Sequence, residues 1–139
     1  MADRTTGYSG VPLAKKLGLR DGFKIRLVNP PAYYFDLFDE LPANVRVIAD
    51  KRTKKNFIHI FATEAKTFRD ELALLKKEIE PDGMIWASWP KKTAKMAGDI
   101  SERIVRETAL AIGFVDVKVC AVAETWSGLK LVIPMKDRN

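Results

Sequence analysis

Cysteine and histidine are almost absent from this sequence. Its 139 residues include one cysteine, Cys120, and one histidine, His59. A lone cysteine excludes a disulfide within the chain, and one cysteine with one histidine cannot form a Cys/His zinc site. The same scarcity leaves Ser-His-Asp and Cys-His mechanisms without support. We therefore predict neither a metal site nor a catalytic residue.

Long apolar runs are absent as well. The longest is Val119 to Ala123, far below the roughly 18 residues of a membrane-spanning helix. The first residues also lack the apolar segment of a secretory signal. These features predict a cytoplasmic protein that does not interact with a membrane.

The overall composition is that of a globular protein, with 47% apolar and 30% charged residues. A chain of this length is typical of one domain, and no linker or repeat interrupts it. The sequence therefore predicts a single domain over residues 1–139.

Basic residues exceed acidic ones and give a net charge of +6. They are densest in the segment Lys51, Arg52, Lys54 and Lys55, and again around Lys91 and Lys92. Short basic runs are often solvated loops, but either segment could attract a polyanion. Nucleic-acid binding through Lys51, Arg52, Lys54 and Lys55 is therefore kept as one alternative.

Strand and helix patterns alternate along the chain. Period-2 or continuous apolar runs predict strands near 23–27, 45–49, 57–61, 84–87, 115–121 and 129–133. A helix capped by Thr63 is expected to continue until Pro81-Asp82-Gly83, and another follows the capping pair Asp99 and Glu102. This order predicts a three-layer, Rossmann-like α/β sandwich, whose mostly parallel sheet ends in a C-terminal antiparallel hairpin.

One connection is unusually short for that fold. Only residues 50–56 separate the second and third strands, whereas a parallel crossover usually contains ten or more residues. Either these strands pair antiparallel or an extended loop joins them. We favour the loop.

Two resemblances extend this interpretation. The segment 79–86, Ile-Glu-Pro-Asp-Gly-Met-Ile-Trp, with the helix before it and the hairpin after it, resembles the second half of a class I S-adenosylmethionine-dependent methyltransferase. Segments 7–18, 88–92 and 117–130 resemble a small bacterial family of unknown function, nearly end to end. The first resemblance implies a truncated methyltransferase fold, and the second implies no activity.

The expected cofactor loop departs from the methyltransferase pattern. Methyltransferases place a glycine-rich turn after the first strand, where this chain has Asn29-Pro30-Pro31. Two prolines remove two backbone N–H donors and fix φ near −65°. Asp50 stands where an acid would contact the ribose, although an aspartate at a strand end is also a common turn former. We therefore expect no cofactor, with S-adenosylmethionine as the alternative.

Ligands of open parallel sheets bind beyond the carboxyl ends of the strands. Residues expected there or at the hairpin tip are the candidate ligand-binding set. They are Asn29, Asp50, Ser88, Trp89, Lys91, Lys92 and Trp126. A tryptophan beside two lysines could stack on a planar group while the ammonium groups meet an anion.

These observations favour a non-catalytic binding or regulatory module on a degenerate methyltransferase-like scaffold. Its partner would be an anionic small molecule or a protein. Two alternatives stay open: an S-adenosylmethionine-dependent methyltransferase with an atypical cofactor loop, and a nucleic-acid-binding protein. Whether the protein is an enzyme is left undecided, with the balance towards a non-enzyme.

Overall fold

The computed structural model describes residues 11–138, which form a six-stranded sheet covered on both faces. Within them, the α-helices are α1 (Leu13–Leu17), α2 (Ala65–Leu75) and α3 (Glu102–Ile112). The strands are β1 (Lys24–Val28), β2 (Arg46–Val47), β3 (Lys55–Phe61), β4 (Ile79–Pro90), β5 (Val115–Ala121) and β6 (Trp126–Val132). Single 3₁₀ turns lie at Tyr34–Leu37, Lys76–Glu78, Lys92–Ala94 and Met135–Asp137.

The strand order is β2-β1-β3-β4-β6-β5. Strands β2, β1, β3 and β4 run parallel, whereas β6 is antiparallel to both β4 and β5. This arrangement confirms the predicted three-layer α/β sandwich with a C-terminal antiparallel hairpin.

The short connection between β2 and β3 is a loop, as predicted. The two strands do not pair with each other but lie on opposite sides of β1, both parallel to it. Strand β2 is only two residues long and pairs at the start of β1, where Lys24 is opposite Arg46. The loop therefore crosses about 10 Å, two strand spacings, and needs no helix to return.

Apolar residues of the helices cover the two faces of the sheet. Phe68 and Leu72 of α2 and Val105 and Ala109 of α3 are buried on one face. The other face is covered by α1 and by the aromatic 3₁₀ turn. Its buried residues include Leu17, Tyr34, Leu37 and Phe38, packed with Phe57, Phe61, Trp86 and Trp126 of the sheet.

Strand β4 is longer than predicted. Pro81-Asp82-Gly83 does not end the preceding helix: α2 ends at Leu75, and β4 passes through this tripeptide. The register moves from Lys55 opposite Ile79 to Phe57 opposite Met84, so the intervening residues of β4 form a bulge. A proline is tolerated there because a bulged residue is outside the regular ladder of hydrogen bonds.

Two helix starts and one turn also differ from the sequence predictions. Thr63 does not cap α2; Asp99 does, because its Oδ1 accepts a hydrogen bond from Ala65 N at 2.7 Å. The N-cap of α3 is Ser101. The hairpin turn lies before Trp126, whose carbonyl accepts a hydrogen bond from Val122 N at 2.9 Å, so Trp126 opens β6 instead of occupying the hairpin tip.

None of the helices described within residues 11–138 has the length and apolar character needed to cross a membrane. The same residues bring together no group of three acidic, cysteine or histidine side chains suited to a metal ion.

Candidate functional site

The topology marks one crevice at the carboxyl edge of the parallel strands. The chain leaves β1 towards β2 on one side, and it leaves β3 towards β4 on the other. Ligands of open α/β sheets bind where neighbouring connections diverge in this way. Here that point lies between Asn29, after β1, and Ala62, after β3.

The turn after β1 has an unusual backbone. Asn29 has a φ of +56°, in the left-handed region that asparagine tolerates better than most residues. Its side-chain amide donates a hydrogen bond to Glu71 Oε1 of α2 at 3.2 Å. Pro30 and Pro31 follow and carry no N–H group. The turn is thus held to α2 and offers few backbone donors to an anion.

The crevice beside this turn is small. Its volume is about 180 Å³. Its lining residues are Asn29, Phe61, Ala62, Thr63, Glu64, Thr67, Glu71 and Trp126. Small-molecule sites are usually about 300–1,000 Å³, and the charged residues here are both acidic. The crevice is therefore poorly suited to a large or anionic ligand.

Two tyrosines follow the proline turn, and the first of them connects it to the β5–β6 hairpin. Tyr33 Oη lies 3.1 Å from Thr125 Oγ1 and accepts a hydrogen bond from Trp126 Nε1 at 3.1 Å. Tyr34 is buried in the aromatic core, with its ring edge-on to Phe61 at a centroid distance of 5.7 Å. The contacts of Tyr33 join the turn to the hairpin next to Trp126, which lines the crevice.

Behind Tyr34 lies a buried polar network. Tyr34 Oη is 3.0 Å from His59 Nδ1, and His59 Nε2 is 2.7 Å from Ser88 Oγ. Burial lowers the pKa of His59 to about 3 and raises the pKa of Tyr34, so both side chains are neutral at pH 7. Ser88, a predicted ligand-binding residue, is 1% exposed and contacts His59 within the core. It is thus separated from any ligand at the surface.

A larger groove lies beyond the carboxyl end of β4. Its volume is about 520 Å³. Its lining residues are Trp89, Pro90, Lys91, Lys92, Ile100, Ser101, Glu102, Arg103 and Ser127. A neighbouring cavity of about 170 Å³ shares Pro90, Lys91, Lys92 and Ile100. The fold therefore gathers Trp89, Lys91 and Lys92 from the predicted set into one groove.

The backbone at the two ends of this groove is held in place. Lys91 N donates a hydrogen bond to Thr125 O at 2.9 Å. This bond fixes the backbone of Lys91 and does not involve its side chain. Ser101 Oγ accepts a hydrogen bond from Ile104 N at 3.3 Å and so starts α3 at the rim. The first turn of α3 carries a partial positive charge, which adds to Lys91, Lys92 and Arg103. The single acid of the lining, Glu102, pairs with Arg106 at 2.9 Å.

Arg103 is the groove residue that the sequence interpretation missed. In this part of the chain the predicted ligand-binding set contains only Ser88, Trp89, Lys91 and Lys92. A start at Ser101 would have placed Arg103 in the first turn of a helix that follows the lysines closely. The serine three residues before Ile104 was the available signal.

Asp50 lies apart from both cavities. Its carboxylate accepts hydrogen bonds from Arg52 N at 2.9 Å and from Thr53 N at 2.7 Å. Together with the Thr53 hydroxyl, these bonds hold the pKa of Asp50 below its usual value. Asp50 is therefore a turn former in the loop after β2, and the acid expected near a ribose is not at the crevice.

The predicted basic segment is divided by the fold. Lys51, Arg52 and Lys54 are exposed, and binding of nucleic acid by them stays a prediction. Lys55, however, is fully buried, with its Nζ 2.9 Å from Glu78 Oε1. The expectation that Lys55 belongs to a surface for polyanions is wrong, because its charge is neutralised inside the protein.

Comparisons with known proteins identify the fold of this chain. Neither a protein-family model nor a curated protein sequence matches the chain. A solved S-adenosylmethionine-dependent methyltransferase from Aquifex aeolicus is 17% identical, with a TM-score of 0.57, and the match covers 86% of each chain.

Two further solved structures agree. Magnesium protoporphyrin IX methyltransferase from Synechocystis, with bound S-adenosylmethionine, is 10% identical with a TM-score of 0.61, covering 87% of this chain and 74% of that one. A didemethyltoxoflavin N-methyltransferase from Burkholderia thailandensis, with bound S-adenosylhomocysteine, is 13% identical with a TM-score of 0.55, covering 86% and 73%. At these identities the likeness shows that the chain has a methyltransferase-like Rossmann fold.

Proposed function

We propose that this protein is a non-catalytic binding module on a methyltransferase-like scaffold. Its site is the groove beyond β4, and its ligand carries several negative charges, as a polyphosphate or a nucleoside triphosphate does. The observation that carries the proposal is the contrast between the two cavities. The larger one is lined by three cations and one acid, Glu102, whereas the crevice at the usual ligand position is smaller and has two acids and no cation.

Electrostatics support the groove as an anion site. Lys91, Lys92 and Arg103 converge on it from the end of β4 and the start of α3. An arginine can hold two phosphate oxygens at once, and lysines add point charges. Arg103 is largely exposed and lies 3.5 Å from Glu107 Oε2, so an anion in the groove would share its guanidinium with that carboxylate.

The crevice beside Asn29 does not fit a nucleoside cofactor. Pro30 and Pro31 remove donors from the turn, and Trp126, which lines the 180 Å³ space, is held in place by its hydrogen bond to Tyr33. Glu64 and Glu71 would repel a phosphate or carboxylate there. These features support binding of the ligand in the neighbouring groove and not in the crevice.

Isothermal titration with tripolyphosphate and with adenosine triphosphate tests the proposal. We expect both to bind the wild-type protein, and we expect Lys92→Met and Arg103→Met each to weaken binding about tenfold, the effect of one lost charged contact. Lys54→Met is the matched control, because Lys54 is also exposed but lies outside the groove. Equal affinities of the Lys92 and Lys54 variants would contradict the groove assignment.

The second candidate function is methyl transfer from S-adenosylmethionine. The fold likeness to methyltransferases, two of them solved with cofactor or its product, is what favours it. It predicts that S-adenosylmethionine binds beside Asn29, that Asn29→Ala abolishes this binding, and that Lys92→Met does not. The two functions are therefore distinguished by which ligand binds and by which variant weakens it.

A further inference from the structure

A second cluster of positive charge lies on the opposite face of the sheet from the groove. Lys118 of β5 stands directly opposite Lys130 of β6 in the antiparallel pair. Like charges in this position repel each other, because directly paired side chains in a sheet are only about 5 Å apart at Cβ. We call Arg20, Lys118 and Lys130 the hairpin cation cluster.

Arg20 lies in the segment after α1, and its positive charge acts on Lys130. Lys130 is opposite Trp86 of β4, whose indole Nε1 donates a hydrogen bond to Leu17 O at the end of α1. Lys130 Nζ lies 4.0 Å from the position that a Cβ on Gly18 would take, so the amine extends to the end of this helix. The cluster is thus assembled from three elements that the sheet face brings together.

The cluster has no acidic counterpart within residues 11–138. No ion pair or hydrogen bond there joins Arg20, Lys118 or Lys130 to a carboxylate. Burial of Lys130, together with the charges of Lys118 and Arg20, lowers its pKa. Folding therefore concentrates like charges, and a bound anion would relieve their repulsion.

We propose that Arg20, Lys118 and Lys130 form a binding site for a phosphate-bearing ligand on the α1 face of the sheet. A group with several negative charges suits it better than a single carboxylate, because three cations are present without an acid. The guanidinium of Arg20 matches two phosphate oxygens, and the lysines supply the remaining charge. This site goes beyond the proposed function, since it lies on the other face and shares no residue with the groove.

Amide chemical-shift changes on titration with tripolyphosphate test the site. We expect shifts around residues 118 and 130 in the wild-type protein. Lys130→Met should weaken this binding about tenfold, as expected for one lost charged contact. Lys92→Met should leave it unchanged, although it weakens binding at the groove. Shifts confined to residues 91–103, or equal affinity of the Lys130→Met and Lys54→Met variants at residues 118 and 130, would overturn the proposal.

Two further measurements keep the test independent of folding and of the phosphate source. Without ligand, Lys130→Met should raise the urea midpoint, because it removes like-charge repulsion; a lowered midpoint would count against the site. A single-stranded oligonucleotide, titrated in parallel with tripolyphosphate, shares the same phosphate chemistry. We expect Lys130→Met to weaken binding in whichever arm binds more tightly, and no loss in either arm would refute the inference.

Discussion

His59 lies in the interior of the sheet between Tyr34 and Ser88, and both of its ring nitrogens have hydrogen-bond partners. Its ring stacks on Phe61 at a centroid distance of 4.3 Å. In such surroundings a positive charge has no water to stabilise it, so the imidazole stays neutral. The only histidine of the chain is therefore a structural residue, whose two hydrogen bonds fix the positions of Tyr34 and Ser88 in the core.

Acid should weaken the fold through this residue. In the folded protein the pKa of His59 is about 3, against about 6.5 in the unfolded chain. Between these values the unfolded state binds a proton that the folded state does not, so the free energy of unfolding decreases as pH falls. Between pH 7 and pH 5 we expect a loss of about 2 kcal/mol, measured by urea unfolding.

The matched variant for this experiment is His59→Gln. Glutamine can hydrogen-bond to Tyr34 and Ser88 but does not titrate. The pH dependence between 7 and 5 should therefore disappear in this variant, even if its stability is lower throughout. A wild-type protein equally stable at both pH values would show the assignment to be wrong.

The positions of individual side chains were harder to predict from the sequence than the elements that carry them. Trp89, Lys91 and Lys92 line one groove at the end of β4, and their binding of a ligand stays a prediction. Ser88 was misplaced because residue 88 still belongs to β4, where alternation directs its side chain into the core. Periodicity indicates that a strand exists, but where the strand ends depends on pairing with other strands.

At the scale of elements, the segment between β4 and α3 is held onto the start of α2. Asp99 N donates a hydrogen bond to Thr63 O at 3.0 Å, while the Asp99 carboxylate caps α2. Gly98 has a φ of +142°, and a Cβ there would collide with the carbonyl oxygen of Thr63. Thr63 and Gly98 line the small cavity of about 170 Å³ together with Lys91 and Lys92.

Gly98→Ala should release this segment. The new methyl group would meet backbone that cannot move aside, so we expect a loss of more than about 2 kcal/mol in unfolding free energy. Gly22→Ala is the control, because Gly22 also has a positive φ, of +76°, but nothing lies within 4 Å of the added Cβ. It should cost only about 1 kcal/mol. Similar urea midpoints for the two variants would contradict the role of the close contact.

Elements with strong local signals were predicted well. The period-3.6 stripes and the alternation located α3, β1 and the start of α2 within a few residues, whereas α2 was expected to continue to Pro81 and ends at Leu75. The cap of α2 could not be predicted, because Asp99 is 34 residues away from the amide that it caps. The length of β2 was also overestimated: residues 45–49 were predicted to be a strand, but only two of them pair with β1.

At the scale of the whole molecule, three distant segments meet in a buried ion cluster. Glu78 Oε1 lies 2.6 Å from Arg26 Nη1 of β1 and 2.9 Å from Lys55 Nζ of β3. Lys55 Nζ also donates a hydrogen bond to Asp50 O in the loop after β2. The cluster therefore connects β1, the β2–β3 loop, β3 and the 3₁₀ turn between α2 and β4.

Loss of the Glu78 carboxylate should destabilise the protein, because the buried ammonium group of Lys55 would lose its ion-pair partner. We expect Glu78→Gln to lower the unfolding free energy by about 3 kcal/mol, whereas Lys55→Met combined with Glu78→Gln should cost less than the sum of the single changes. The exposed pair Lys66 and Asp70, 3.3 Å apart, provides the control cycle and should be nearly additive. Additive losses at Lys55 and Glu78 would show that the two charges are not coupled.

The hydrogen bonds of Tyr33 also bear on how the protein forms during synthesis. Its partners, Thr125 and Trp126, are 92 and 93 residues further along the chain. In a chain that emerges amino end first, these two hydrogen bonds can form only after residues 125 and 126 have been synthesised. The connection between the proline turn and the hairpin is therefore a late step of folding during translation.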